Sequence, residues 1–133
     1  MPHADFAIVN FGEHLGDRAG DIQGFNLPFK GSETSTHEFS TGTGLLVNEP
    51  SFVTIQTYDV GNPEHRIIVN GEPISVAGPN IGAAGRADQW STYTAVIPRG
   101  RLVPGSGNKI SVRKASGGDN FIVGQAIIMW RER

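Results

Sequence analysis

Hydrophobic and polar residues alternate with a period of two through most apolar stretches of this chain, and that period belongs to half-buried β-strands. The clearest case is 52–58, FVTIQTY, with Val53, Ile55 and Thr57 on one face and Phe52, Thr54, Gln56 and Tyr58 on the other. Its β-branched and aromatic residues suit a pleated surface. Residues 90–97 repeat the pattern, Trp90, Thr92, Thr94 and Val96 lying opposite Ser91, Tyr93, Ala95 and Ile97. Pro98 closes that strand, because proline cannot donate into a ladder. Residues 109–114 (KISVRK) place Ile110 and Val112 inward. Residues 5–11 (DFAIVNF) set Ala7, Val9 and Phe11 against Phe6, Ile8 and Asn10, and Gly12 is expected to end them. Residues 121–130 (FIVGQAIIMW) are apolar almost without a break, which predicts a central strand.

Turn chemistry links these strands. Residues 65–69 (HRIIV) run into Asn70-Gly71 and then Glu72-Pro73-Ile74. Asn-Gly predicts a hairpin, since both central positions of a type I′ turn need positive φ. Two further short strands are expected at 37–41 and 45–47, around Gly42-Thr43-Gly44, and one at 25–29 inside a long connection over 12–35. Connections of that length in a compact domain pack on themselves or bind something. Residues 77–89 read as a loop and 117–120 as a turn. Seven to nine short strands without a helix, punctuated by turns about every ten residues, predict an all-β sandwich or barrel.

The order of motifs resembles a family. YDVG at 58–61, VNGEPI at 69–74, Trp90-x-x-Tyr93 leading to Ile97-Pro98, LVPGSGNKISVR at 102–113 and GGDNFIVGQAII at 117–128 follow one another. The series is similar to galactose-binding-like jelly rolls, which include many carbohydrate-binding modules, over roughly residues 51–130. The resemblance implies a jelly-roll β-sandwich and concerns turn and core positions, so it carries architecture more than chemistry.

Composition narrows the picture. The chain has 133 residues, 38% hydrophobic and 18% charged, which predicts one globular domain over 1–133. Net charge is −2, which gives no field to draw in phosphate backbones, so nucleic acid is not an expected partner. No cysteine is present, which removes disulfides, thiolate metal sites and cysteine nucleophiles. The first residues, MPHADFAIVNFGEHLG, lack a basic segment and an apolar run of signal-peptide type. No stretch approaches the roughly 18 apolar residues of a membrane span. The expected location is cytoplasmic, or outside the cell without a cleaved signal, with no membrane partner.

Candidate chemistry is sparse. His3, His14, His37 and His65 show no local pair of zinc-ligand spacing. No Gly-x-Ser-x-Gly elbow occurs, and GPNIGAAG at 78–85 lacks the Lys-Ser/Thr of a phosphate loop. Asp59, Glu64 and His65 are close in sequence, yet nothing independent pairs them for acid–base work, and no enzyme activity is expected. Glu13, Asp17 and Asp21 lie in a glycine-spaced loop that reads either as a solvated acidic stretch or as oxygen ligands for a structural calcium ion; jelly rolls of the resembled type often carry one. No other cofactor is expected.

Sugars are held by aromatic faces against their C–H surfaces and by planar polar groups on their hydroxyls. Tyr58, Asp59, Asn62, His65, Trp90 and Tyr93 supply both kinds of group around two loops. The alternative reading is a buried core tryptophan at Trp90 and a Tyr58 that packs the edge of the core. The leading expectation is a non-catalytic, lectin-like module binding carbohydrate. The alternative is a structural subunit that self-associates as an oligomer, filament or viral shell or tail component. The segment up to Thr43 could then add a strand to a neighbour.

Overall fold

The apolar run at 121–130 becomes the middle of a five-stranded sheet. In the computed structural model, which describes residues 2–61, 64–74 and 88–133, the strands are β1 (His3–Leu15), β2 (Phe29–Gly31), β3 (His37–Phe39), β4 (Ser51–Tyr58), β5 (Arg66–Val69), β6 (Glu72–Pro73), β7 (Trp90–Ile97), β8 (Asn108–Arg113) and β9 (Phe121–Glu132). One sheet has the order β2-β1-β9-β4-β7 and the other β3-β8-β5-β6. From β3 onward the chain passes between the sheets at nearly every connection, with β3, β5 and β8 in one and β4, β7 and β9 in the other. This is an all-β jelly-roll sandwich. No helix occurs among the described residues, so none is long and apolar enough to cross a membrane.

The alternation read from sequence decides which face each strand buries. Val53, Ile55, Ala95, Ile97, Val9, Phe11, Ile110 and Val112 all enter one shared core between the sheets, with Phe121, Val123, Ala126, Ile128 and Trp130 from β9. Burying one such side chain contributes about 1.5–3 kcal/mol. β9 pairs antiparallel with both β1 and β4. The hairpin turn forms as its sequence demands, with φ of 52° at Asn70 and 88° at Gly71. Asn70 locks it, its Nδ2 donating to Arg101 O at 2.7 Å and its Oδ1 accepting from Lys109 N at 2.8 Å.

Three expectations are corrected. β1 does not stop at Gly12 but continues to Leu15, because Gly12 takes φ of 57° where the β1–β9 register shifts between Asn10 and Glu13. An irregularity of that kind extends a strand rather than ending it. The short strand expected at 25–29 lies at Phe29–Gly31 instead, parallel to the end of β1. Residues 45–47 form no strand. Leu45 makes a single bridge to Glu132, and Leu46 N donates to Arg131 O at 2.9 Å. The loop expected at 77–89 lies outside the described residues as far as 87.

Candidate functional site

The outer face of the five-stranded sheet carries the exposed aromatic chemistry of the molecule. Tyr58 ends β4 and Trp90 begins β7, and the two are partners in the antiparallel ladder. Both side chains point away from the core because they share parity with Phe52, Thr54, Thr92 and Thr94. Their ring centroids lie 5.5 Å apart. Phe25, from the connection after β1, joins them at 4.9 Å from Tyr58 and 6.1 Å from Trp90. These separations are those of favourable aromatic pairs. Trp90 nevertheless keeps 50% of its surface exposed, and Phe25 38%.

A glycine makes room for the indole. A methyl group at Gly124 of β9 would come within 2.9 Å of Trp90 Cζ3, so the ring reaches across β4 and rests on bare backbone. Beside the three rings runs a polar band. Asn10 and Gln125 pair across β1 and β9, Gln125 Nε2 donating to Asn10 Oδ1 at 2.7 Å. Gln56 and Thr92 pair across β4 and β7, both exposed. The result is an exposed aromatic cluster flanked by uncharged hydrogen-bonding groups.

The other residues expected at this site are placed differently. Tyr93 faces inward and packs against the core, on the opposite side of β7 from Trp90. Asp59 sits at φ of 60°, where its N–H donates to Gln89 O at 3.1 Å and its Oδ1 accepts from Asp88 N at 2.9 Å. It closes the ends of β4 and β7. His65 is fully buried and stacks on Phe121 at 4.1 Å. Its Nδ1 accepts from Ala115 N–H at 2.9 Å, so Nε2 carries the proton and donates to Asp119 Oδ2 at 2.7 Å. Both ring nitrogens are thus engaged inside the protein, and a surface-ligand role for His65 does not fit. Asn62 lies outside the described residues.

The three carboxylates that read either as a solvated loop or as calcium ligands do not converge. Glu13 is buried in β1, where Ser35 N and Oγ donate to its two oxygens at 3.1 and 2.8 Å, and Lys30 Nζ and His37 Nε2 each lie 3.7 Å away. Asp17 Oδ1 accepts from Asn120 Nδ2 at 2.8 Å, and that bond holds its carboxyl below the usual carboxylate range. Asp21 is exposed, its N–H donating to Arg18 O. Among the described residues, the group whose ligand atoms come within 4.8 Å of one another is instead His3, Asp5 and Glu132. There, hydrogen bonding to Glu132 and to the Phe6 N–H lowers the Asp5 pKa.

Sequence reasoning did not place Phe25 or Gly124 at the site. The available signal was three large apolar residues, Phe25, Leu27 and Phe29, in an otherwise polar, glycine-rich connection. For Gly124 the signal was a lone glycine within an apolar strand, which marks a bulge or a close approach.

Fold and face together define a β-sandwich protein with an exposed aromatic cluster on one sheet. The chain belongs to the family described as "Family of unknown function (DUF7383)", which matches residues 3–132. No curated protein matches the sequence. Among solved structures the chain is similar to a GH26-CBM35 beta-(1,4)-mannanase from Podospora anserina, with a TM-score of 0.47 and 17% identity. The match covers 96% of this chain and 27% of that one, so the chain spans little more than a quarter of that protein's length.

Proposed function

We propose that the protein is a non-catalytic binding module that holds a neutral carbohydrate against Trp90, Tyr58 and Phe25. The observation that carries this is the half-exposed indole of Trp90, held between Tyr58 and Phe25 and over Gly124. A ring fixed in that way offers a flat apolar face at little entropic cost, which suits the C–H face of a pyranose. The adjoining Gln56, Thr92 and Gln125 supply amide and hydroxyl groups for ring hydroxyls. None of these groups is charged, which favours neutral sugars over uronic or sialic acids.

The test is a glycan array followed by calorimetric titration of any neutral oligosaccharide that binds. Trp90→Ala should weaken binding at least tenfold while leaving the circular dichroism spectrum unchanged. Gly124→Ala should weaken it too, because the new methyl displaces the indole. Acrylamide quenching reports that displacement, since Trp130 is buried and Trp90 is not. Binding that survives Trp90→Ala, or an array with no neutral glycan bound, would overturn the proposal.

A further inference from the structure

The two outer faces of the sandwich differ in charge. The four-stranded sheet presents Glu38, Arg66, Lys109 and Arg113 to solvent, as a solvated face does. On the five-stranded sheet, the outward positions of β1 from Ala4 to Asn10, of β9 from Gln125 to Met129, and all those of β4 and β7 carry no charged side chain. At the end remote from Trp90 they become apolar across four neighbouring strands, with Phe6 paired to Met129, Met129 to Phe52 and Phe52 to Val96. Phe6 is 58% exposed, Val96 53% and Ile8 51%.

This end holds both halves of a self-complementary contact. A groove of about 460 Å³ has Ala4, Phe52 and Met129 among its walls, and Glu49, Arg99 and Arg131 bring charges of both signs to it. Phe6 is not one of its walls and stands beside it, the most exposed large apolar side chain among the described residues. A projecting ring and an apolar groove on one surface suit a self-complementary two-fold contact, since each copy can then fill the other. The apolar residues of this end expose roughly 500 Å², at the upper range of what a monomer leaves uncovered. With the flanking Thr54, Thr94 and the groove's charged lip, the face approaches the roughly 800 Å² per partner of a stable interface.

We infer that two copies of this chain stack through their five-stranded sheets, the Phe6 ring of each seated in the groove of the other beside Arg99 and Arg131. The axis lies between the sheets and across the strands near Phe52, so the two Trp90 ends point away from each other and stay open.

Sedimentation velocity of the intact protein, without glycan, from about 1 μM to about 500 μM tests this. The expected result is reversible association to twice the mass of one chain. Phe6→Ala should raise the dissociation constant at least tenfold, and Phe52→Lys should leave a monomer with an unchanged circular dichroism spectrum. Lys109→Glu, on the other sheet, and Trp90→Ala should leave the dimer intact. A wild-type monomer throughout the range, or a dimer indifferent to both Phe6→Ala and Phe52→Lys, overturns the inference. A monomer that sediments with neutral phosphatidylcholine vesicles overturns it in favour of a lipid surface.

Discussion

Asn120 shows how much one side chain can hold. Its Oδ1 accepts from His14 Nε2 at 3.0 Å and Arg18 N at 3.3 Å, and its Nδ2 donates to Asp17 Oδ1 at 2.8 Å and Gly118 O at 3.1 Å. Asn120→Ala strands the buried His14 donor, so it should cost about 1–3 kcal/mol at neutral pH, measured by guanidinium unfolding. A separate contribution of Asn120 depends on pH. The Asp17 carboxyl is held below its ordinary 3.8 by the Asn120 bond. A depressed carboxylate contributes its stability above the ordinary value and loses it as pH falls through the lower folded one. The gap between wild type and variant should therefore narrow in unfolding series taken below about pH 4. At this scale the sequence was informative about parity and silent about partners. Alternation along β7 already set Tyr93 on the face opposite Trp90, and the structure keeps it there. Nothing in the local pattern around His65 revealed that Asp119 and Ala115, some fifty residues on, would engage both its nitrogens.

Strand β9 is the element on which the larger sheet depends. It is flanked by β1 and β4 along most of its length and sends five of its side chains into the core. β2 and β6, by contrast, have three and two residues and lie at sheet edges, β6 containing Pro73. Native-state hydrogen exchange should separate these classes. Amides of β9 should exchange only through global unfolding, while those of β2 and β6 exchange by local opening and far sooner. Uniform protection across all three would contradict that order. The central position of β9 was legible from its nearly unbroken apolar run, although the structure sends only the inward half of that run into the core and leaves Met129 on the open face. The faces of β4, β7 and β8 were legible from their period of two, and the Asn70-Gly71 turn from its need for positive φ. Gly12 misled because a glycine at positive φ serves a bulge as well as a strand end. Residues 45–47 misled because LLV has strand composition but docks on the end of β9 through single hydrogen bonds. Phe25 became readable only once the fold had carried it over the β4–β7 edge.

Across the whole molecule, the β1–β9 ladder joins segments that lie more than a hundred residues apart, with His3 facing Glu132 at one end and Leu15 facing Phe121 at the other. Such pairings must close long loops before they are rewarded, so folding belongs to the millisecond-to-second range of all-β topologies. The same ladder also fixes how the protein responds to load. Force applied at the His3–Glu132 end acts across the strands and opens the hydrogen bonds one pair at a time, like a zipper. Force applied to opposite ends of the two strands acts along them and must break the row together. Because the chain has no cysteine, single-molecule handles can be attached cleanly through Pro2→Cys with Arg133→Cys, or through Pro2→Cys with Ser116→Cys. The first pair should yield at a clearly lower force than the second. The sandwich is therefore a soft link when tethered at the start of β1 and the end of β9, and a stiff one when gripped at the start of β1 and at Ser116.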